Sequence, residues 1–149
     1  MLNASLISRF YDTHCRTRFL LPTDGDVSLL ESRLGVALPT IYREFLLRFN
    51  GGLFADPLFV ARGNVDRFRI AYLHGIYAPV KHADLGSDTD IFDDNDPVEI
   101  LPIGATNGGD LLLMSTFEDE DYGCISLRAI DQATHFIVDG FDELFDLLM

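Results

Sequence analysis

Tryptophan is absent from this 149-residue chain, lysine occurs once, at Lys81, and cysteine twice, at Cys15 and Cys124. Each scarcity removes a class of function. Two cysteines this far apart, with no CxxC pair, make neither a disulfide framework nor a zinc ribbon, and they fit a reducing cytoplasm. The lone lysine does not follow the Gly104–Gly109 stretch, as a phosphate-cradling P-loop requires, so that stretch reads as a turn. No G-x-S-x-G string marks a hydrolase nucleophile, and nothing nominates a catalytic triad. Nowhere do about 18 apolar residues follow one another, and the first dozen residues contain no signal-like apolar run. The expectation is a soluble protein that is neither anchored nor secreted.

Positive charge is scarce in one half of the chain. Residues 1–83 carry seven acids and ten bases, whereas residues 84–149 carry 17 acids and Arg128 as their one base, for a net charge of −13 over the whole. Such a field repels phosphate backbones and anionic membranes and speeds encounter with a cationic partner. Nucleic acid and membrane are therefore not expected partners. Acidity also serves solubility, but its concentration in one half favours a binding face.

Apolar content of 48% suffices for one core, and the chain has the length of one domain, taken as residues 1–149. Leu2, Leu6, Ile7, Phe10 and Tyr11 recur at helical spacing. Val27, Leu30 and Leu34 do so over about Asp26–Leu34, ended by Gly35. Leu38-Pro39 opens a third helix that buries Tyr42, Phe45, Leu46 and Phe49 and stops at Asn50-Gly51-Gly52. Alternation then replaces helical spacing. Phe68, Ile70 and Tyr72 mark one strand, and Val98–Ile103, Leu111–Ser115, Tyr122–Arg128 and Thr134–Val138 mark four more. Asn107-Gly108 predicts a hairpin between the second and third of these strands. Phe141, Leu144, Phe145 and Leu148 form the stripe of a closing helix. The expected class is α+β: N-terminal helices, a mainly antiparallel sheet, and a C-terminal helix. The segment 83–97 is the candidate for a mobile loop, since its carboxylates repel one another.

Chemistry is sparse. His14, His74, His82 and His135 lack the spacing that places two imidazoles on one helical face, so no metal site is expected; His82-Ala83-Asp84 is the weak exception. The spaced carboxylates of Asp88-Thr89-Asp90 and Asp94-Asn95-Asp96 resemble the opening of an EF-hand loop. Counted from Asp88, however, Asp93 stands where glycine belongs, although Glu99 falls at the twelfth position. A solvated acidic loop explains them better. A glycosidase's carboxylate pair is disfavoured, because no tryptophan supplies a sugar platform.

One ordered pattern remains: Glu31, Leu34-Gly35, Leu38-Pro39, Tyr42, Phe45-Leu46 and Asn50-Gly51-Gly52, or E-x-x-L-G-x-x-L-P-x-x-Y-x-x-F-L-x-x-x-N-G-G. It resembles the signature of the SUKH superfamily, which includes bacterial immunity proteins of polymorphic toxin systems and fungal cell-wall synthesis regulators. Leu101-Pro102-Ile103-Gly104 with Gly108-Gly109-Asp110 is similar to the family's central hairpin, and Phe141–Leu148 to its closing helix. The signature residues read as structural; Glu31 either pairs with a neighbouring backbone group or arginine, or is exposed. The resemblance implies a non-enzymatic, cofactor-free protein that blocks a cognate toxin domain, often a nuclease, or else an adaptor with an endogenous protein partner. Physics supplies the candidate contacts: Asp88, Asp90, Asp93, Asp94 and Asp96, then Glu118, Asp119, Glu120 and Asp121, facing a basic toxin domain. Thr116–Tyr122 also reads as a merely solvated hairpin tip.

Overall fold

A computed structural model describes residues 2–55, 57–60, 67–85, 98–129 and 134–147. Helix α1 (Ala4–His14) begins where the Asn3 side chain accepts a hydrogen bond from Leu6 N at 3.1 Å, and it buries Ile7, Phe10 and Tyr11. Helix α2 (Asp24–Leu34) starts two residues earlier than its apolar spacing suggests. Thr23 and Asp26 form a reciprocal capping box, and the first turn holds Asp24 and Asp26 against the positive end of the helix dipole. Gly35, at φ +74°, ends it. In α3 (Thr40–Arg48) Pro39 is the cap rather than the first helical residue, and Tyr42, Phe45 and Leu46 are buried.

The strands are β1 (Cys15–Thr17), β2 (Gly52–Phe54), β3 (Leu58–Val60), β4 (Arg67–Leu73), β5 (Ile100–Thr106), β6 (Leu111–Ser115), β7 (Ile125–Arg128) and β8 (Thr134–Val138). They pair antiparallel in the order β1-β2-β4-β5-β6-β7-β8, with β3 also on β4. Helix α4 (Phe141–Leu144) runs into a 3-10 turn at Phe145–Leu147, shorter than its apolar stripe implies. Helices first, an antiparallel sheet next and a helix last make this an α+β domain, as the sequence leads one to expect.

The core lies between the helices and one face of the sheet. From the sheet come Ile70, Leu101, Ile103, Leu112, Met114, Ile125 and Leu127, all buried. From the helices comes an aromatic cluster: Phe45 against Phe141 at 4.5 Å between ring centroids, Tyr11 against Phe49 at 5.0 Å, and Phe10 against Phe145 at 5.3 Å. Such rings bury large areas, and edge or offset contacts add roughly 0.5–1.5 kcal/mol per pair. The hydroxyl of Tyr42 is fully buried and, among the described residues, has no hydrogen-bond partner; burial holds its pKa far above the ordinary tyrosine range. Tyr42→Phe is therefore expected to leave stability unchanged or raise it by about 1 kcal/mol, because it removes an unpaid desolvation. Urea denaturation checks this; a loss above about 1 kcal/mol would show the hydroxyl engaged.

The tertiary structure adds or alters three details. The β5–β6 connection is one residue longer than a two-residue Asn-Gly turn: Asn107 and Gly108 are its first two residues, and Gly109, its third, carries the positive φ of +90°. Thr106 accepts from Gly109 N at 3.1 Å and donates to Asp110 O at 2.8 Å, a three-residue hairpin closed by a glycine bulge. The strand expected from Tyr122 begins only at Ile125, because residues 120–123 turn and Gly123 has φ +86°. Strands β1, β2 and β3 are three residues each, too short to show alternation.

Candidate functional site

The junction between α2 and α3 is where the ordered sequence pattern concentrates. Glu31 accepts from Leu38 N at 2.7 Å through one carboxylate oxygen and from Arg43 Nε at 3.1 Å through the other. Arg43 also donates to Asp24 Oδ1 at 2.7 Å and Ser28 Oγ at 3.0 Å. Both open readings of Glu31 thus resolve toward pairing, with the backbone and with an arginine together. The guanidinium holds the Asp24 carboxyl below the usual carboxylate range. One carboxylate fastens the end of one helix to the start of the next.

To that junction the fold brings two distant segments. Val98 N donates to Leu34 O at 2.9 Å, carrying the approach to β5 under the end of α2. Thr116, fully buried, donates through its hydroxyl to Val98 O at 2.6 Å and through its amide to Glu99 O at 2.8 Å. Tyr122 OH then donates to Ala37 O at 2.5 Å. A Cβ on Gly123 would come 3.5 Å from the Pro39 ring, so loop and junction pack closely.

The β6–β7 loop is consequently a braced tip. Asp119 N donates to Phe117 O at 2.9 Å, Tyr122 N to Asp119 O at 3.2 Å, and Asp121 N to Asp119 Oδ1 at 2.9 Å. Gly123 N donates to Ser115 O at 2.8 Å and closes its base. Glu118, Asp119, Glu120 and Asp121 all stand exposed on it. Asp88, Asp90, Asp93, Asp94 and Asp96 lie outside the described residues, as does most of the calcium-like loop that ends at Glu99.

Carboxylates from the tip and from elsewhere act together on Cys124, just past the loop. The Cys124 thiol is pushed up first by burial, then by Asp121, Asp139, Asp119 and Glu143. Asp139 and Glu143 thus add to the negative field at Cys124, a convergence that the local sequence pattern does not reveal. The count of 17 acids in residues 84–149 was its one available signal. Tyr122 is likewise raised, by burial first and then by Glu118 and Glu31.

Two grooves border the loop. One, of about 530 Å³, opens between residues 35–37, residues 98–99 and residues 116–118. The other, of about 420 Å³, lies on the sheet face away from the helices, where Leu113 is flanked by the exposed side chains of Ile100 and Phe136, with Arg128 alongside. His74 and His82 pack their rings on Tyr72 at 5.3 and 4.8 Å, and His14 packs on Phe10 at 5.2 Å. Among the described residues no three His, Cys, Asp or Glu side chains gather as a metal site would require, and no helix is long and apolar enough to cross a membrane.

Helices joined through an L-G-x-x-L-P junction, packed on one face of an antiparallel sheet and followed by a short closing helix, define the SUKH class of α+β domain. The chain belongs to the SMI1 / KNR4 family (SUKH-1), whose profile matches residues 21–147. No curated protein gives a significant match to it.

Proposed function

We propose that the chain is an immunity protein that binds and neutralises a cognate toxin domain through its acidic surface. Family membership supports a role as an immunity or regulatory protein that works by binding a protein partner. The observation that carries the finer reading is the exposed tip Glu118–Asp121, braced by its own backbone hydrogen bonds and by Tyr122 on the α2–α3 junction. A nuclease grips phosphate with cationic side chains, and a rigid carboxylate array occupies the same side chains and accelerates encounter. Bracing lowers the entropy lost on binding. On this reading the protein acts in the cytoplasm, catalyses nothing and needs no cofactor.

The quadruple variant Glu118→Gln, Asp119→Asn, Glu120→Gln, Asp121→Asn tests it against whichever toxin domain the neighbouring genes are found to encode, with binding followed by stopped flow across a salt series. Loss of four exposed charges is expected to slow association about tenfold at low salt and to flatten its salt dependence. Unchanged rate and slope would remove the tip from the interface. Failure of the unsubstituted protein to protect cells from that toxin would instead favour an adaptor with an endogenous partner.

A further inference from the structure

The 530 Å³ groove beside the tip is built differently from the tip itself. Its three walls come from parts of the chain more than 60 residues apart at the extremes, yet each is tied to a neighbour by hydrogen bonds onto backbone carbonyls, donated by amides and by the Thr116 and Tyr122 hydroxyls. Leu34 O holds Val98, Val98 O and Glu99 O hold Thr116, and Ala37 O holds Tyr122. The cavity therefore exists before any ligand arrives, and its volume lies within the range of roughly 300–1,000 Å³ usual for binding pockets.

Its lining is chemically one-sided. Glu99 and Glu118 bring carboxylates from two walls, and among the described residues neither forms an ion pair and no cation lines the groove. Phe117, next to Glu118 in the loop, lines the same groove with 51% of its surface exposed, an aromatic ring left to solvent rather than folded into the core. The remaining wall, Gly35-Val36-Ala37, presents small apolar side chains. Two carboxylates call for a cation, and an exposed ring with apolar neighbours calls for one that tolerates loss of water on a flat face. An ammonium is compact and strongly hydrated, whereas a guanidinium is planar, weakly hydrated, stacks on aromatic rings and donates in a fork that matches carboxylates.

We propose that this groove receives an arginine side chain of the partner protein, its guanidinium lying on Phe117 and pairing with Glu99 and Glu118. The assignment rests on the reading of the chain as a binder of a basic protein and names the feature of that partner it recognises. The acidic tip then raises the encounter rate over a wide area, and the groove adds a defined anchor. Buried arginine anchors are among the side chains that dominate binding energy at interfaces.

The test uses N-acetyl-arginine N-methylamide as probe, titrated into the 15N-labelled protein while amide shifts are followed, with the citrulline and lysine analogues alongside. The arginine probe is expected to saturate with shifts centred on Val36, Ala37, Glu99, Thr116 and Phe117, with the lysine analogue at least about threefold weaker and the uncharged citrulline analogue without saturable effect. Glu99→Gln with Glu118→Gln, both at exposed positions, is expected to weaken the arginine probe at least about fivefold, and Phe117→Ala about threefold, with the rest of the spectrum unchanged. Non-saturating shifts spread over the acidic surface, or equal response to citrulline, would overturn the groove as an arginine site. A negative result here combined with loss of toxin binding in the quadruple tip variant would leave the proposed function standing without this anchor. A positive result with no toxin binding would leave the groove and discard the toxin.

Discussion

Asn50→Ala is expected to destabilise the domain by about 4 kcal/mol, a large part of the roughly 5–15 kcal/mol that holds a domain folded. Asn50 is fully buried, at φ +55°, just past the end of α3. Its Nδ2 donates to Ile76 O at 3.0 Å and Leu20 O at 2.7 Å, and its Oδ1 accepts from Ile76 N at 2.8 Å. One side chain thus clamps two loops that have no ladder of their own at this point. Alanine strands the amide and carbonyl of Ile76, at roughly 1–3 kcal/mol for each buried orphan, while the more accessible Leu20 carbonyl loses less. A left-handed alanine adds about 1 kcal/mol that asparagine largely avoids. In a thermal melt this corresponds to a fall of roughly 8–16 °C for a chain of this size. Asn50→Gly separates the two causes, since it relieves the backbone and still loses the clamp; it is expected to keep most of the loss. A fall of only a degree or two in both variants would mean that water replaces the amide and that the clamp is not a determinant of the fold.

Gly51→Ala is expected to be as severe for a different reason. Gly51 has φ +74°, and a Cβ there would sit 2.4 Å from His74 O and 2.5 Å from Leu73 O. Both are backbone atoms at the end of β4, so no side chain can swing aside. Relief requires moving β2 away from β4, where Gly52 pairs with Leu73, and it disturbs the 2.7 Å bond from Tyr11 OH to Gly51 O. Strain of the backbone and overpacking together are expected to cost more than about 3 kcal/mol, read as a lower urea midpoint with unchanged slope. Gly108→Ala is the internal control: its φ is ordinary, and an added Cβ meets just Thr106 Oγ1 at 3.9 Å. It is expected to stay within about 0.5 kcal/mol of the parent. Equal effects at the two glycines would refute the close approach at Gly51.

These two residues show why the N-G-G triplet reads so plainly in the sequence while its main work does not. Turn chemistry is local, so asparagine and glycine after a helical stripe announce a helix end wherever they occur. The clamp depends on Leu20 and Ile76, which lie 30 and 26 residues away. The triplet's first residue is therefore a hub between loops as much as a stop signal. The same division holds for Glu31: its place in the signature marks it as special, but its two partners come from the next helix and the loop before it.

The sequence by itself determined the α+β class, the three N-terminal helices, five strands of the sheet and the family, because helical and alternating periodicity are written in neighbouring residues and the signature is a run of such residues. It also determined the charge asymmetry, which needs only counting. The tertiary structure alone decided that Tyr122 and Ala37, 85 residues apart, meet, so that the acidic tip rests on the signature junction and a groove opens beside it. It alone placed β1, β2 and β3, whose three residues each carry no period of their own. A three-residue strand is a strand only by virtue of the neighbour it pairs with, and a loop is a binding surface only by virtue of what holds it still; both are properties of contacts between distant parts of the chain, which no local pattern encodes.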